Sequence, residues 1–332
     1  MGSFFSSSCE GQEIKEKKYN KESYSCIPSI ENAYKDLSYN NLQNEINNHI
    51  KSIERKKGNK NFSYNDYKEE FDILERNIDD DEEHYKALEE GVPKLCRYSD
   101  IKTYKHNNLE INTKHKYINA SPININGKML FISTQGPKPN TIEDFWTMVD
   151  QYNSNLIIML CDLEEAGREK CSIYWDANDT IKNFSINFSE NKTDFDKIVE
   201  REIKLKNNST NNEKTVIQIH YKGWPDYGAP TIDDGYKNFL FMIKRVDELK
   251  GDTPILVHCS AGVGRTWTFI SIYLLYNEIM AQIKNENLEK IDFSVFNIVR
   301  KLKEMRLYMV QSIDQYKFIY EFIDCLLREN NK

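Results

Sequence analysis

One cysteine in this chain stands where a strand, a glycine-containing loop and a helix are predicted to meet. The apolar run 254–258 ends at His258, Cys259 follows, and Gly262 and Gly264 precede a long apolar segment. Such a junction directs backbone N–H groups and the positive end of the helix dipole to one point, which makes it an anion site. Because the same surroundings lower the pKa of a thiol, Cys259 is predicted to be a thiolate nucleophile.

An arginine stands six residues after this cysteine. Arg265 is predicted to return to the same side of the loop, where its planar guanidinium can bind two phosphate oxygens at once. Thr266 is predicted to donate its hydroxyl either to the thiolate or to the sulfur as it leaves the phosphoenzyme. The backbone that curls around the phosphate is predicted to consist of Ser260, Ala261, Gly262, Val263 and Gly264. The alternative interpretation is a structural cysteine in a strand–helix turn.

The segment 257–266, Val-His-Cys-Ser-Ala-Gly-Val-Gly-Arg-Thr, resembles the signature of the tyrosine-specific protein tyrosine phosphatases. Other motifs in the same order extend the resemblance across roughly residues 62 to 328. It implies hydrolysis of phosphotyrosine in proteins through a phosphocysteine intermediate, with His258 supporting the nucleophile and with neither a cofactor nor a metal. Three further motifs, which the resemblance assigns to folding, are 117–121, 134–137 and 141–146.

The segment 224–230, Trp-Pro-Asp-Tyr-Gly-Ala-Pro, matches the mobile acid loop of that family. Expulsion of a phenolate requires a positioned carboxylic acid, and the resemblance gives this role to Asp226. In the second step the same residue would serve as a base. An aspartate in an ordinary Pro–Gly turn is the alternative interpretation.

The segment 97–101 resembles the substrate-recognition loop of the family. By that match Tyr98 stacks on the phosphotyrosine ring, in a pocket too deep for phosphoserine, and Asp100 accepts from backbone N–H groups of the bound peptide. Cys96 replaces an asparagine of the family pattern, a change that affects the internal bracing of this loop.

Two more segments are assigned by the resemblance to the same site. By the match of 165–171, Glu165 pairs with Arg265 and Lys170 reaches the acid loop. By the match of 309–316, Gln311 positions the water that hydrolyses phosphocysteine, and Gln315 assists it.

The chain departs from the family pattern at two bulky residues. Trp267 occupies a glycine position one turn into the helix behind the loop, where overpacking would strain the loop by roughly 1–3 kcal/mol. Tyr308, three residues before Gln311, is expected to lie beside the cleft and to narrow access to it.

The pattern of apolar residues predicts an α/β domain, and the resemblance implies that its central sheet is a twisted mixed β-sheet flanked by helices. Short apolar runs predict strands at 156–160, 215–221 and 254–258, and longer ones predict helices at 266–283, 293–305 and 314–327. The polar stretch 176–212 is expected to form exposed strands and loops. We expect a catalytic domain over residues 61–332, entered by an amphipathic helix around Phe71 and Leu74.

Residues 1–60 are expected to form an N-terminal extension, either a solvated helix or linker or a partner-docking helix. Its start, Met-Gly-Ser-Phe-Phe-Ser, fits N-myristoylation of Gly2, with Cys9 as a palmitoylation site, although an expression scar begins in the same way. One acyl chain binds membranes only marginally, so two signals are needed for stable anchoring.

Composition restricts the partners and the compartment. A net charge of −7 argues against a general nucleic-acid binder, and no apolar run is long enough to span a membrane. Seven scattered cysteines favour reduced thiols in the cytoplasm. We therefore expect a cytoplasmic monomer, peripheral on a membrane if lipidated, that acts on phosphotyrosine proteins. The competing functions are a phosphotyrosine-binding pseudophosphatase, which Trp267 favours, and a dual-specificity phosphatase, which Tyr98 and Gln311 disfavour.

Overall fold

The computed structural model describes residues 94–177, 181–225, 228–285, 291, 293–306 and 308–330, together with Tyr64, Tyr67, Lys68, Phe71 and Leu74. The strands are β1 (Ala120–Ile125), β2 (Lys128–Thr134), β3 (Leu156–Met159), β4 (Glu164–Glu165), β5 (Arg168–Glu169), β6 (Phe184–Lys192), β7 (Ile198–Asn207), β8 (Glu213–Tyr221) and β9 (Ile255–His258). The α-helices labelled here are α1 (Ile142–Gln151), α2 (Ile232–Leu249), α3 (Gly264–Asn285), α4 (Val295–Lys303) and α5 (Ile313–Asn330). The predicted extension over 1–60, with Gly2 and Cys9, lies outside these residues.

A seven-stranded mixed sheet forms the centre, in the order β1-β2-β9-β3-β8-β7-β6. The four neighbours β2, β9, β3 and β8 run parallel, whereas β1 and the pair β7 and β6 add antiparallel edges. Every residue of β3 and β9 is buried, as expected for short apolar strands covered on both faces. The predicted mixed sheet and its three predicted strands are therefore confirmed.

Helix α3 lies in the interior behind the nucleophile loop. It carries buried apolar side chains on all sides, including Ile270, Leu275 and Ile279, and packs against α4 and α5. A helix that is apolar all round is stable only when neighbours cover it completely. The predicted buried helix and the predicted helical C-terminal third are both confirmed.

The polar stretch 176–212 forms β6 and β7, but it is less exposed than expected. Ile198, Ile203 and Leu205 of β7 are fully buried, and Arg201 is only 3 % exposed. The expectation of strands and loops is confirmed, whereas that of full exposure is wrong. Because side chains alternate between the faces of a strand, its polar composition hid one buried face.

The entry segment packs on the last helix. Phe71 and Leu74 are helical and buried, and the Phe71 ring lies 6.1 Å from that of Tyr316 on α5. The Tyr67 ring lies 5.4 Å from that of Tyr320 on the same helix. This segment therefore joins the core formed by the C-terminal helices.

The carboxyl ends of the parallel strands define one edge of the sheet. Thr134 and Met159 both pair with His258, so β2, β9 and β3 end side by side. In open α/β sheets ligands bind in the crevice outside this edge. Among the described residues, no helix combines the length and the apolarity that a bilayer crossing requires.

Candidate active site

The nucleophile loop runs from the end of β9 to the start of α3. Cys259 is 4 % exposed, and the Gly262 N–H donates to its sulfur at 3.2 Å. Gly262 has a φ of +73°, and a Cβ at this position would lie 2.2 Å from the Thr134 carbonyl oxygen. Only glycine satisfies both constraints, so the chain can turn an amide toward the thiol here.

The Arg265 guanidinium is held by Glu165. One guanidinium nitrogen donates to Glu165 Oε1 and the other lies 2.6 Å from Oε2, which gives a two-point ion pair. The Asp162 N–H donates to Oε1 at 3.1 Å, and Lys170 Nζ lies 4.0 Å from Oε2. Burial opposes the charged form of Arg265, but Glu165 outweighs it and the pKa of the guanidinium is raised. Arg265 is thus charged and fixed in orientation.

Tyr98 stands against the nucleophile loop. Its hydroxyl lies 2.8 Å from Ser260 Oγ, and its ring packs against a small cluster of Ile101, Ala261 and Val263. Ser260 Oγ in turn donates to the Lys170 carbonyl at 2.8 Å. Asp100 follows two residues later and is exposed. The recognition segment and the loop therefore share one surface.

Two glutamines lie against the start of α3. A Cβ added to Gly264 would lie 2.9 Å from Gln311 Oε1 and 2.9 Å from Gln315 Nε2. Gln315 Oε1 accepts from the Gln311 N–H at 2.9 Å, so the two residues brace each other. Gly264 leaves the space into which both amides fit.

Asp226 and Tyr227 lie outside the described residues, but both ends of their segment are fixed. The Trp224 indole N–H donates to the Gly228 carbonyl at 3.0 Å, and Arg265 donates to the Pro225 carbonyl at 3.4 Å. The Trp224 ring also lies 5.7 Å from the Arg265 guanidinium carbon. The segment that carries Asp226 therefore begins beside Arg265, and its other end is bound to Trp224.

The nucleophile, the arginine, the recognition tyrosine and the glutamines thus meet at one edge of the sheet. A family model described as protein-tyrosine phosphatase matches residues 93–325. The chain belongs to the protein-tyrosine phosphatase family.

Curated relatives have the same family name. The chain is 38 % identical over 247 residues to tyrosine-protein phosphatase 2 of Dictyostelium discoideum, covering 72 % of this chain and 63 % of the relative. It is 33 % identical over 237 residues to human receptor-type tyrosine-protein phosphatase alpha, covering 69 % of this chain and 29 % of the relative. The chain therefore spans less than two thirds of the length of these relatives.

Solved structures have the same fold. The catalytic domain of human protein tyrosine phosphatase non-receptor type 18 superposes with a TM-score of 0.70 at 27 % identity, covering 79 % of this chain and 96 % of that one. A structure of the same phosphatase with HER2 phosphopeptides gives a TM-score of 0.71 at 26 % identity, covering 82 % of this chain and 97 % of the other.

The structure bears on two expectations about supporting residues of this site. The Thr266 hydroxyl is buried and makes no hydrogen bond within the described part of the chain, so it does not donate to the resting Cys259 sulfur. Its donation to the sulfur as it leaves the phosphoenzyme stays a prediction. Lys170 approaches Glu165, as given above, and its reach toward Asp226 stays a prediction.

The departures from the family pattern are accommodated differently. Trp267 is fully buried, and its side chain packs within the main core. Tyr308 is 44 % exposed with a φ of +60°, a conformation that L-residues other than Asn and Asp seldom adopt. Cys96 contributes to the bracing that its asparagine counterpart would supply, since its sulfur accepts from Asn119 Nδ2 at 3.1 Å.

Arg306 is the site residue that sequence reasoning missed. It is fully buried, and its guanidinium donates to the Gly262 carbonyl at 3.1 Å, the Ala261 carbonyl at 3.3 Å and Asn119 Oδ1 at 2.5 Å. By binding the loop carbonyls from behind, Arg306 turns the opposite side of those peptides, their N–H groups, toward the thiol. Its charge resembled that of a solvated surface residue, and nothing in its spacing distinguished it.

Proposed function

We propose that this chain hydrolyses phosphotyrosine in proteins through a phosphocysteine intermediate. The observation that carries the proposal is the position of the Cys259 sulfur, which accepts from a loop amide at 3.2 Å and stands six residues before a guanidinium held at two points. This arrangement supplies a nucleophile and preorganised donors for three phosphoryl oxygens. Relatives that are named tyrosine-protein phosphatases support the same reaction.

In the first step the Cys259 thiolate attacks phosphorus and the bond to the tyrosine oxygen breaks. Asp226 gives its proton to the departing phenolate, so that tyrosine leaves neutral. Arg265 and the N–H groups of residues 260–264 bind the phosphoryl oxygens. Tyr98 flanks the tyrosine ring, and Asp100 accepts from the peptide backbone.

In the second step a water molecule attacks the phosphocysteine. Gln311, with Gln315 beside it, orients the water, and the Asp226 carboxylate takes the proton it must lose. Cys259 leaves as thiolate and phosphate is released. His258 supports the loop from the buried side, and Thr266 donates its hydroxyl to the sulfur as it leaves. Glu165, with Lys170 beside it, holds Arg265 in place.

The test is a phosphatase assay on phosphotyrosine and phosphothreonine peptides with wild type, Cys259→Ser and Asp226→Ala. We expect hydrolysis of phosphotyrosine only, no turnover by Cys259→Ser, and slow turnover with retained binding by Asp226→Ala. Wild-type rates in Cys259→Ser would exclude the mechanism. Trp267 was the feature that favoured a pseudophosphatase. Because it is buried in the core, it no longer supports that alternative.

We further propose that the chain consists of a catalytic domain over residues 61–332 and an extension that carries an address at Gly2 and Cys9. A myristoyl and a palmitoyl group together would bind a membrane surface stably, whereas one of them would not. The protein would then be a monomer at the cytoplasmic face of a membrane. Mass spectrometry of the native N-terminus tests this proposal, and an unmodified Gly2 amine would contradict it.

A further inference from the structure

A chain of buried polar side chains runs from the far side of the sheet to the nucleophile. Arg201 on β7 donates to Gln218 Oε1 on β8 at 2.6 Å, and Gln218 Nε2 lies 2.5 Å from the Tyr174 hydroxyl. That hydroxyl lies 2.8 Å from His258 Nε2, and His258 Nδ1 lies 3.1 Å from the Cys259 carbonyl. Each of the first four side chains is at most 3 % exposed.

The geometry explains why so many groups are needed. Arg201 and Gln218 are direct partners in the β7–β8 ladder, but β3 separates β8 from β9. Tyr174 spans that gap, since its hydroxyl reaches both Gln218 on β8 and His258 on β9. The relay, defined as Arg201, Gln218, Tyr174 and His258, therefore spans the four neighbouring strands β7, β8, β3 and β9.

Arg201, at one end of the relay, fixes the direction of every hydrogen bond in it. Arginine has donors only, so the atom facing it must be the Gln218 oxygen. The Gln218 amide nitrogen then faces Tyr174, whose oxygen accepts. The single hydroxyl proton of Tyr174 is thereby free to be donated to His258 Nε2.

The Cys259 carbonyl, at the other end of the relay, independently requires the same hydrogen-bond directions. The Cys259 carbonyl can only accept, so His258 Nδ1 must carry a proton. Burial lowers the pKa of His258 to about 4, so the ring is neutral near pH 7 and its Nε2 has no proton. Nε2 must then accept, and Tyr174 is the donor it faces.

We propose that Arg201 and Gln218 are positioning residues of this active site, which keep the His258 proton on Nδ1 and thereby hold the Cys259 peptide. A carbonyl bound by His258 Nδ1–H keeps its orientation, and with it the loop in which the Gly262 N–H reaches the sulfur. The proposal rests on the proposed function only in that it concerns the same nucleophile.

Arg201 is itself held firmly enough for this task. Glu190 binds its second terminal nitrogen at 2.8 Å, and the Trp175 ring lies 4.2 Å from the guanidinium carbon. Its first nitrogen is also 3.2 Å from His220 Nδ1, whose Nε2 bonds to the Cys161 carbonyl at 2.8 Å. Burial lowers the pKa of His220 to about 3, so this second histidine also accepts from Arg201 in its neutral form.

Gln218→Glu reverses the hydrogen-bond directions in the relay and replaces the side chain by one of nearly the same size. A carboxylate next to Arg201 presents only acceptors, so Tyr174 must give its proton to Glu at 218 and can no longer give it to His258. Nε2 then becomes the protonated nitrogen, and Nδ1 faces the Cys259 carbonyl as a second acceptor. Arg201→Met removes the origin of the relay, whereas Arg201→Lys keeps a donor and should rescue it. Ile219→Val, on the opposite face of β8, is the packing control.

Two measurements read the result without any phosphorylated substrate. Nitrogen-15 NMR of labelled histidine shows which His258 nitrogen carries the proton, and alkylation by iodoacetamide as a function of pH gives the apparent pKa of the Cys259 thiol. We expect Nδ1–H in wild type, Arg201→Lys and Ile219→Val, and Nε2–H in Gln218→Glu. Alkylation of Gln218→Glu below the thiol pKa should slow by about tenfold, which corresponds to a rise of about one pKa unit.

The outcomes separate the two proposals. A folded Gln218→Glu variant with the wild-type tautomer, or with unchanged or faster alkylation, overturns the positioning role, as does Nε2–H in wild type. Since Arg201→Met can fail to fold, the decision rests on the size-conserving Gln218→Glu change. Absence of phosphotyrosine hydrolysis in a wild type with the expected tautomer would overturn the proposed function alone.

Discussion

Glu165 and Arg265 form a two-point ion pair in which the carboxylate side chain is 4 % exposed and the guanidinium 13 %. They lie 100 residues apart in the chain, and the ribbon of β4 and β5 presents one to the other. A guanidinium fixed in this way can offer its remaining N–H groups to an anion without first becoming ordered.

Glu165→Gln should therefore reduce kcat/KM for a phosphotyrosine peptide by about 10²-fold, since Arg265 loses its orientation. It should also destabilise the fold by about 3 kcal/mol, because a largely buried charge loses its partner. Steady-state kinetics and urea unfolding measure the two effects. Glu169→Gln is the control: its side chain is 55 % exposed and pairs with Arg97 at 3.2 Å, so both values should stay near wild type. Equal kinetics in the two variants would contradict the role given to Glu165.

Arg265→Lys keeps the positive charge but removes the planar guanidinium with its parallel N–H donors. A lysine ammonium cannot bind Glu165 and two phosphoryl oxygens in one plane, so kcat should fall by about 10²–10³-fold. Burst kinetics with an aryl phosphate would assign the loss to the phosphorylation step. A variant with wild-type kcat would show that charge alone suffices.

Trp267 should stabilise the fold rather than strain it, because it is fully buried in the core. Trp267→Gly should lower the free energy of unfolding by about 3–5 kcal/mol through the cavity it leaves. Trp267→Phe should cost less, since the indole nitrogen has no hydrogen-bond partner among the described residues and none is lost. Urea unfolding of both variants decides, and a gain in stability for Trp267→Gly would revive the strain hypothesis.

Stability should fall as the pH drops below neutral. Burial lowers the pKa of His258 to about 4 and that of His220 to about 3, against 6.5 for exposed histidine. Between these values the unfolded chain binds more protons, so their contribution is complete above about pH 6.5 and is lost at lower pH. The loss is about 1.4 kcal/mol per pH unit for each histidine.

Urea unfolding at pH 7.5, 6 and 5 measures this slope. His220→Gln should remove about half of the pH dependence of stability that the histidines cause, because it removes one of the two titrating groups. The fold should tolerate the change, since a glutamine amide can still donate to the Cys161 carbonyl. Ile219→Val changes packing but no titrating group, so it should shift stability equally at each pH. A His220→Gln slope equal to that of wild type would contradict the prediction.

The predictable parts of this structure are those set by local sequence. The strands at 156–160 and 254–258 are short apolar runs, and Gly262 stands where only glycine fits, so the strand, loop and helix could be inferred directly. The position of Glu165 followed from a resemblance and not from its own surroundings.

The residues that escaped prediction are polar and act through distant partners. Arg201 stands in a polar stretch, where a charge usually faces water, and Gln218 is a polar residue inside a run whose apolar residues alone predict a strand. Their burial becomes visible only when β7, β8 and β9 lie in one sheet with Tyr174 across them. The Thr266 hydroxyl is close in sequence to Cys259, but closeness in sequence did not produce a hydrogen bond to the resting sulfur.

The bonds from Arg306 also decide when the site can exist. Arg306 donates to Ser121 and Asn119, which precede it by 185 and 187 residues. The same guanidinium also donates to the Gly262 carbonyl of the Cys259 loop. Contacts this far apart in sequence form late, after the intervening chain has been ordered. A chain synthesised only as far as Cys259 therefore lacks the arginine that orients the nucleophile loop, and the loop cannot take its final form until Arg306 has also been synthesised.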